Sequence, residues 1–288
     1  MPDEKKERHK KEYEALLYLF LSMLRSYGND FDEEEALQEL ARLRAETMMS
    51  YAYDGFKMTK EEALLLLRNL DDHNLTEQDK AKRDRLVAAV NNLVEFSVCA
   101  EYQLYKKSKV KWQSLNDGID YEDEELMDEF IDMCATYNDT YAAVEHSDVE
   151  YAMAIAFTWL GYSDETYLEY MTQNDDRVRP WHYALQGFVE RAADFPAWMI
   201  PPIEWRCRCF LITLDGSVAV AKKANLNKVM AKAPQKPVHL DGVFDESVAK
   251  CGRIFGKAHP YFKVSKNDKD MLSRIVDNIK KDYYELHI

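Results

Sequence analysis

Four prolines, Pro180, Pro196, Pro201 and Pro202, fall within 23 residues, and no other feature restricts the fold of this chain as tightly. Each proline removes a backbone donor and its ring clashes with the preceding turn, so no helix runs through such a stretch. On its N-terminal side, from about residue 12 to 170, the apolar pattern is helical almost throughout. Around 32–53, Leu37, Leu40, Leu43 and Met48 form an apolar stripe, with Glu33, Glu34, Glu35, Glu39, Arg42 and Arg44 on other faces. Three helix starts are marked by a capping side chain with an acid three residues on: Thr59 with Glu62, Thr76 with Asp79, and Ser147 with Glu150. The helix after Thr76 is long, with Leu86, Val90, Leu93 and Ser97 in one stripe; the one after Ser147 is expected to end at Gly161. Asn116, Asp117 and Gly118 mark a turn.

Beyond the prolines, Cys207–Leu214 has strand composition, Asp215 and Gly216 read as a turn, and a helix is expected from Ser217 to Lys232. A loop carrying Pro234 and Pro237 follows, then a last helix capped by Ser265. The fold class expected is α+β, predominantly α-helical, with a helical region over 1–170 and a small α+β domain over 171–288. Charge divides the same way. Residues 171–214 are balanced, 215–288 carry +5, and the net charge of -14 therefore leaves -19 on 1–170. Such an acidic chain is not built to coat duplex nucleic acid, which requires clustered Lys and Arg. Five cysteines at 99, 134, 207, 209 and 251 show no framework spacing, which fits a reducing compartment. The charged start has no signal-peptide pattern, and the apolar run Leu16–Leu21 is too short to cross a bilayer.

The proline-rich stretch itself is unusual for a loop. It holds Trp181, Trp198 and Trp205, and Arg177, Arg179, Arg206 and Arg208 stand near the carboxylates Asp175, Asp176 and Asp194. Arginine forks on carboxylates and buried indoles would tie it into a rigid knot. Its order, Asp175-Asp176-Arg177-Val178-Arg179-Pro180, His182, Leu185 and Gly187, then Pro201-Pro202, Trp205 and Cys207-Arg208-Cys209, closely resembles the signature of phage Mu F-like head morphogenesis proteins. Lys250–Phe262 is similar to the tail of family members from Bacteroidetes-associated phages. Many relatives have Gly where Glu204 stands, so a different turn into the strand is expected here.

The resemblance implies a Mu F-like domain over 171–288 and a minor head, or minor capsid, protein of a tailed phage or prophage. Such a protein is made in the host cytoplasm and joins the virion head near the portal vertex during prohead assembly, influencing DNA packaging or ejection. Its partners would be the portal and other head or capsid proteins, with no membrane and no cofactor. Asp175, Asp176, Arg177, Arg179, Pro180, His182, Gly187, Trp205, Cys207, Arg208 and Cys209 would form a structural motif with no catalytic residue among them.

Sharper readings of the same residues compete. His182, Cys207 and Cys209 offer three soft ligands to zinc, but a structural site usually takes four, and a C-x-C pair on a strand also packs well as two thiols on one face. Packing is the reading preferred on sequence. Arg177, Arg179 and His182 would suit a nuclease, His as acid or base and Arg as phosphate clamp, yet the arginines have carboxylates beside them and no second His or nucleophile lies at a telling distance. Phosphate-loop, dinucleotide, zinc-protease and serine-hydrolase motifs are absent. The acidic run 116–125 fails as a calcium loop, because Gln113 and Leu115 occupy positions that need acids; it reads as the solvated start of a helix. The lysines between Lys222 and Lys269 are a solvated face or, alternatively, a contact to packaged DNA.

Overall fold

A computed structural model describes residues 3–27, 32–69, 72–115, 118–229, 242–244 and 247–285. Its helices are α1 (Asp3–Ser26), α2 (Glu33–Gly55), α3 (Lys60–Arg68), α4 (Glu77–Gln113), α5 (Glu124–Ala135), α6 (Ala142–Trp159), α7 (Pro180–Tyr183), α8 (Gly216–Val229), α9 (Val248–Cys251) and α10 (Lys269–Tyr284). Its strands are β1 (Tyr167–Met171), β2 (Val189–Arg191) and β3 (Phe210–Leu214). They make one antiparallel sheet in the order β2-β1-β3, with Tyr167 opposite both Arg191 and Leu214. The protein is thus mostly helical with a small sheet, the α+β class expected from sequence.

The chain forms two compact units. One comprises Met1–Tyr51, Val90–Ser147 and Pro260–Ile288, the other Ala52–Ala89 and Asp148–His259. Three of the four borders between them fall inside α2, α4 and α6, the fourth lies between His259 and Pro260, and the position 170/171 falls inside β1.

The first unit buries Leu16, Phe20 and Leu24 of α1, Leu37, Leu40 and Met48 of α2, Leu93 and Phe96 of α4, Phe130 of α5, and Ile275 and Ile279 of α10. Each such side chain taken from water stabilises the fold by about 1.5–3 kcal/mol before entropy is counted. The helical stripe on α2 needs one correction: Leu43 is only half-buried, whereas Arg44, assigned to an outer face, is wholly buried. Arg44 donates through Nη1 to Glu101 Oε1 at 3.0 Å, to the Tyr137 carbonyl at 3.3 Å and to Asn138, and through Nη2 to Glu145. Asn138 also donates to Glu101 Oε2 at 3.3 Å. The π-helical stretch Thr136–Tyr141, which joins α5 to α6, carries Asn138 and the Tyr137 carbonyl to this guanidinium.

Several helix starts follow the local signals. Thr59 and Glu62 form a reciprocal capping box at α3, the Asp79 amide donates to Thr76 Oγ1 at the start of α4, and Asp123 caps α5, so the acidic run does open a helix. Ser147 does not start one: α6 is already helical from Ala142, because the π-helical stretch carries the helix on from α5. The last helix begins at Lys269, not Ser265, whose hydroxyl instead accepts from the Asn267 amide in a turn. Asp215 caps α8 by accepting from the Ser217 amide at 2.9 Å. The expected end of that helix at 230–232, the loop with Pro234 and Pro237, and Asn116 and Asp117 lie outside the described residues. Strands β1 and β2 have no counterpart in the sequence reading: β1 falls in the stretch to 170 expected to be helical, and β2 in the proline-rich stretch expected to be irregular.

In the second unit, the sheet and the proline-rich stretch share one core. Leu168, Tyr170, Leu185, Phe188, Phe195, Met199, Ile200, Ile203, Cys207 and Cys209 are buried together, with Trp181 and Trp198 packed against them. Two glycines let backbones approach closely. A Cβ on Gly55 would meet the Glu150 carbonyl oxygen at 2.1 Å, and one on Gly252 would meet the Ala88 methyl at 2.5 Å at a φ of +78°.

Candidate functional site

The motif residues converge beside the sheet. Pro180 occupies the first turn of α7, where its missing N–H costs nothing, and this one turn delivers His182 into the core at 2% exposure. Gly187 has φ +84°, a left-handed conformation that suits glycine. Its amide donates to the Tyr170 carbonyl and the Tyr170 amide to the Phe188 carbonyl, both at 2.9 Å, so the chain leaving α7 enters the sheet here.

Asp175 and Arg208 form a two-pronged fork, with N···O distances of 2.8 and 2.7 Å. The Arg208 hydrogen bonds, with the Arg177 amide in support, pull the Asp175 carboxyl down to about 2. Arg177 reaches Asp175 only at 3.6 Å and is otherwise exposed, as is Asp176. Asp194 lies outside the knot: its partner is Arg191, which also holds Glu165. Arg206 contributes its backbone, at a left-handed φ of +57°, its amide donating to both oxygens of the buried Asp148 at 3.1 and 2.9 Å. Trp205 packs edge-on to Phe244 and His259 and at a 30° tilt to Phe255.

The centre of the knot is Glu204, the residue that departs from the family pattern. Its Oε2 faces Arg179 Nε at 3.2 Å, Trp181 Nε1 at 3.1 Å and His182 Nε2 at 3.1 Å. Arg179 also donates to the Trp205 carbonyl at 2.9 Å. A carboxylate accepts only, so His182 carries its proton on Nε2 and presents the Nδ1 lone pair to the other side. There Cys209 Sγ lies at 3.3 Å and Cys207 Sγ at 3.9 Å. Both cysteines are buried and Arg206 is exposed. The Cys207 thiol hydrogen-bonds Cys209; that bond and burial push Cys207 up, and the same bond, with Tyr170, Arg208 and Arg179 nearby, pulls Cys209 down. Burial and the two thiols push the Tyr170 hydroxyl up, and Tyr151 donates to the Cys209 carbonyl.

Sequence reasoning missed Glu204, Asp148, Tyr151 and Tyr170. For Glu204 a signal existed, since it stands where many relatives have Gly, but its partners were not legible; the others lie upstream and carry no local mark. The candidate nuclease trio is not gathered at a cleft: Arg177 faces solvent, and Arg179 and His182 are both held on Glu204. Two of the C-terminal lysines are engaged within the chain, Lys222 with Glu169 and Lys223 with Glu190. The candidate metal ligands are His182, Cys207 and Cys209 here and, in the first unit, His9, Glu12 and His146, both sets buried. Among the described residues no helix is long and apolar enough to cross a membrane.

Comparison with known proteins bears on the same stretch. Residues 110–212 match the family described as Phage Mu protein F like protein, a span that begins upstream of the expected 171 and ends before Lys250–Phe262. The Mu-like prophage FluMu F protein of Haemophilus influenzae is 46% identical over 48 residues, 16% of this chain and 11% of that protein's length. No solved structure matches. With the knot intact in its geometry and the family match enclosing all of Asp175–Cys209, residues 110–212 of the chain are similar to the phage Mu F-like proteins.

Proposed function

We propose that this protein is a minor head component of a tailed phage or prophage, acting near the portal vertex during prohead assembly, with an effect on DNA packaging or ejection. The observation that carries this reading is the way the motif is used. Its charged side chains are largely engaged within the chain, Asp175 on Arg208 and Arg179 and His182 on Glu204, which makes a rigid platform and leaves a phosphate or a substrate to compete with Glu204. A structural and assembly role follows from that platform, with the acidic helices of 1–170 supplying the surface for portal or scaffold subunits. The other recognised partners are further head or capsid proteins, and the setting is the host cytoplasm during assembly and then the virion head.

Co-expression with the portal protein of the same phage or prophage tests this. The two should co-purify through affinity and size-exclusion steps. If they never associate, and the gene lies away from portal and capsid genes, the reading fails. Nuclease activity abolished by His182→Ala in a folded protein would favour an enzyme, and steeply salt-dependent DNA binding a DNA-contacting head-interior protein.

A further inference from the structure

The side chains gathered behind His182 have a use that hydrophobic packing does not supply. His182 Nδ1, Cys207 Sγ and Cys209 Sγ all lie within 4.8 Å of one another, and all three residues are at least nine-tenths buried. For a tetrahedral ion with Zn–S near 2.3 Å and Zn–N near 2.0 Å, neighbouring N and S atoms are separated by about 3.6 Å. The observed separations of 3.3 and 3.9 Å bracket that value. Glu204 accepts from Nε2, which leaves Nδ1 as the free donor of an electron pair; a metal-bound histidine is oriented by a carboxylate on its other nitrogen in the same way. Charge also closes. Two thiolates neutralise a divalent ion, and Glu204 is matched by Arg179 at 3.2 Å, so the loaded site would bury no net charge.

We propose that His182 Nδ1, Cys207 Sγ and Cys209 Sγ bind one zinc ion that clamps α7 to the segment entering β3. Three protein ligands leave one tetrahedral position for a water oxygen. Binding displaces the thiol protons to solvent and forms two Zn–S bonds and one Zn–N bond, with no change of oxidation state. The clamp is independent of the portal reading: a head protein or an enzyme could carry it, and loss of portal association would leave it standing.

The full chain, purified without chelator, should hold about one zinc per chain. The Cys207→Ser/Cys209→Ser double variant should fall below about a tenth of that, while Cys99→Ser and Cys251→Ser keep it. Cobalt(II) added to the chelator-stripped wild type should give thiolate-to-cobalt charge-transfer absorption and tetrahedral d–d bands. That spectrum, if it persists in the Cys99→Ser and Cys251→Ser variants, supports the site even if the double variant does not fold, because the His9–Glu12–His146 cluster has no thiolate to give it. Wild type without zinc and without the cobalt charge-transfer band overturns the proposal, as does full zinc retention in a folded double variant.

Discussion

Glu12 shows what burial does to a single side chain. It is 5% exposed on α1, and burial, opposed by the charge of Arg44, raises its carboxyl from the ordinary 4.5 to about 8. Its neighbour His146, with Nε2 at 3.4 Å, is pushed well below the usual histidine range by burial and by Arg44. Near neutral pH the pair therefore sits in the core largely uncharged. The sign follows from linkage. The folded chain holds a proton on Glu12 that the unfolded chain releases, so this contribution to stability is complete below about pH 4.5 and is lost as pH rises through about 8. Glu12→Gln, a neutral isostere, should gain on wild type with pH, by about 1.4 kcal/mol per unit at most, or a few degrees of melting temperature. Melting curves for both proteins from pH 5 to 8.5 check it; parallel curves would mean that Glu12 is ionised in the folded chain. Asp175 works in the opposite sense: its hydrogen bonds to Arg208 favour the ionised carboxylate, half-open to water, where solvent screens much of the pairing energy.

Between elements, the same chemistry becomes architecture. Arg44 on α2, Glu101 on α4, Glu145 on α6 and Asn138 in the π-helical stretch meet at one guanidinium with no exposure at all. Two carboxylates and one guanidinium share that place; burial pushes both acids up and the arginine charge pulls them down. Such a network contributes little net stability over an apolar core, but taking away one member leaves the others uncompensated. Arg44→Ala should cost about 3–5 kcal/mol, read as a shift in the urea midpoint at unchanged slope. A loss under about 1 kcal/mol would mean the acids protonate and repack without it. Capping explains why α3, α4 and α5 begin where local sequence says, whereas Ser147 has the same signature in the middle of a helical run and caps nothing.

At the scale of the whole molecule, each compact unit is assembled from separated stretches of chain. Strand β1 is the middle of the sheet and pairs with both β2 and β3, which have no pairing with each other. A fragment starting at residue 171 keeps only Met171 of β1 and lacks Leu168 and Tyr170, both fully buried. It should therefore fail to fold, giving no sharp thermal transition and rapid proteolysis, where the full chain gives both a transition and protection. A stable, protease-resistant 171–288 would show that the prolines and tryptophans alone suffice. The residues alone determined the helical bulk of the chain, the capped starts, the strand before Asp215 and the family motif, because these depend on periodicity and on neighbours a few positions apart. Only the tertiary structure decided that Arg44 is buried, that Tyr167–Met171 is the central strand, that Glu204 gathers Arg179, Trp181 and His182, and that Cys207 and Cys209 face a histidine nitrogen. Those outcomes rest on contacts between residues tens of positions apart, and on burial that no local pattern records.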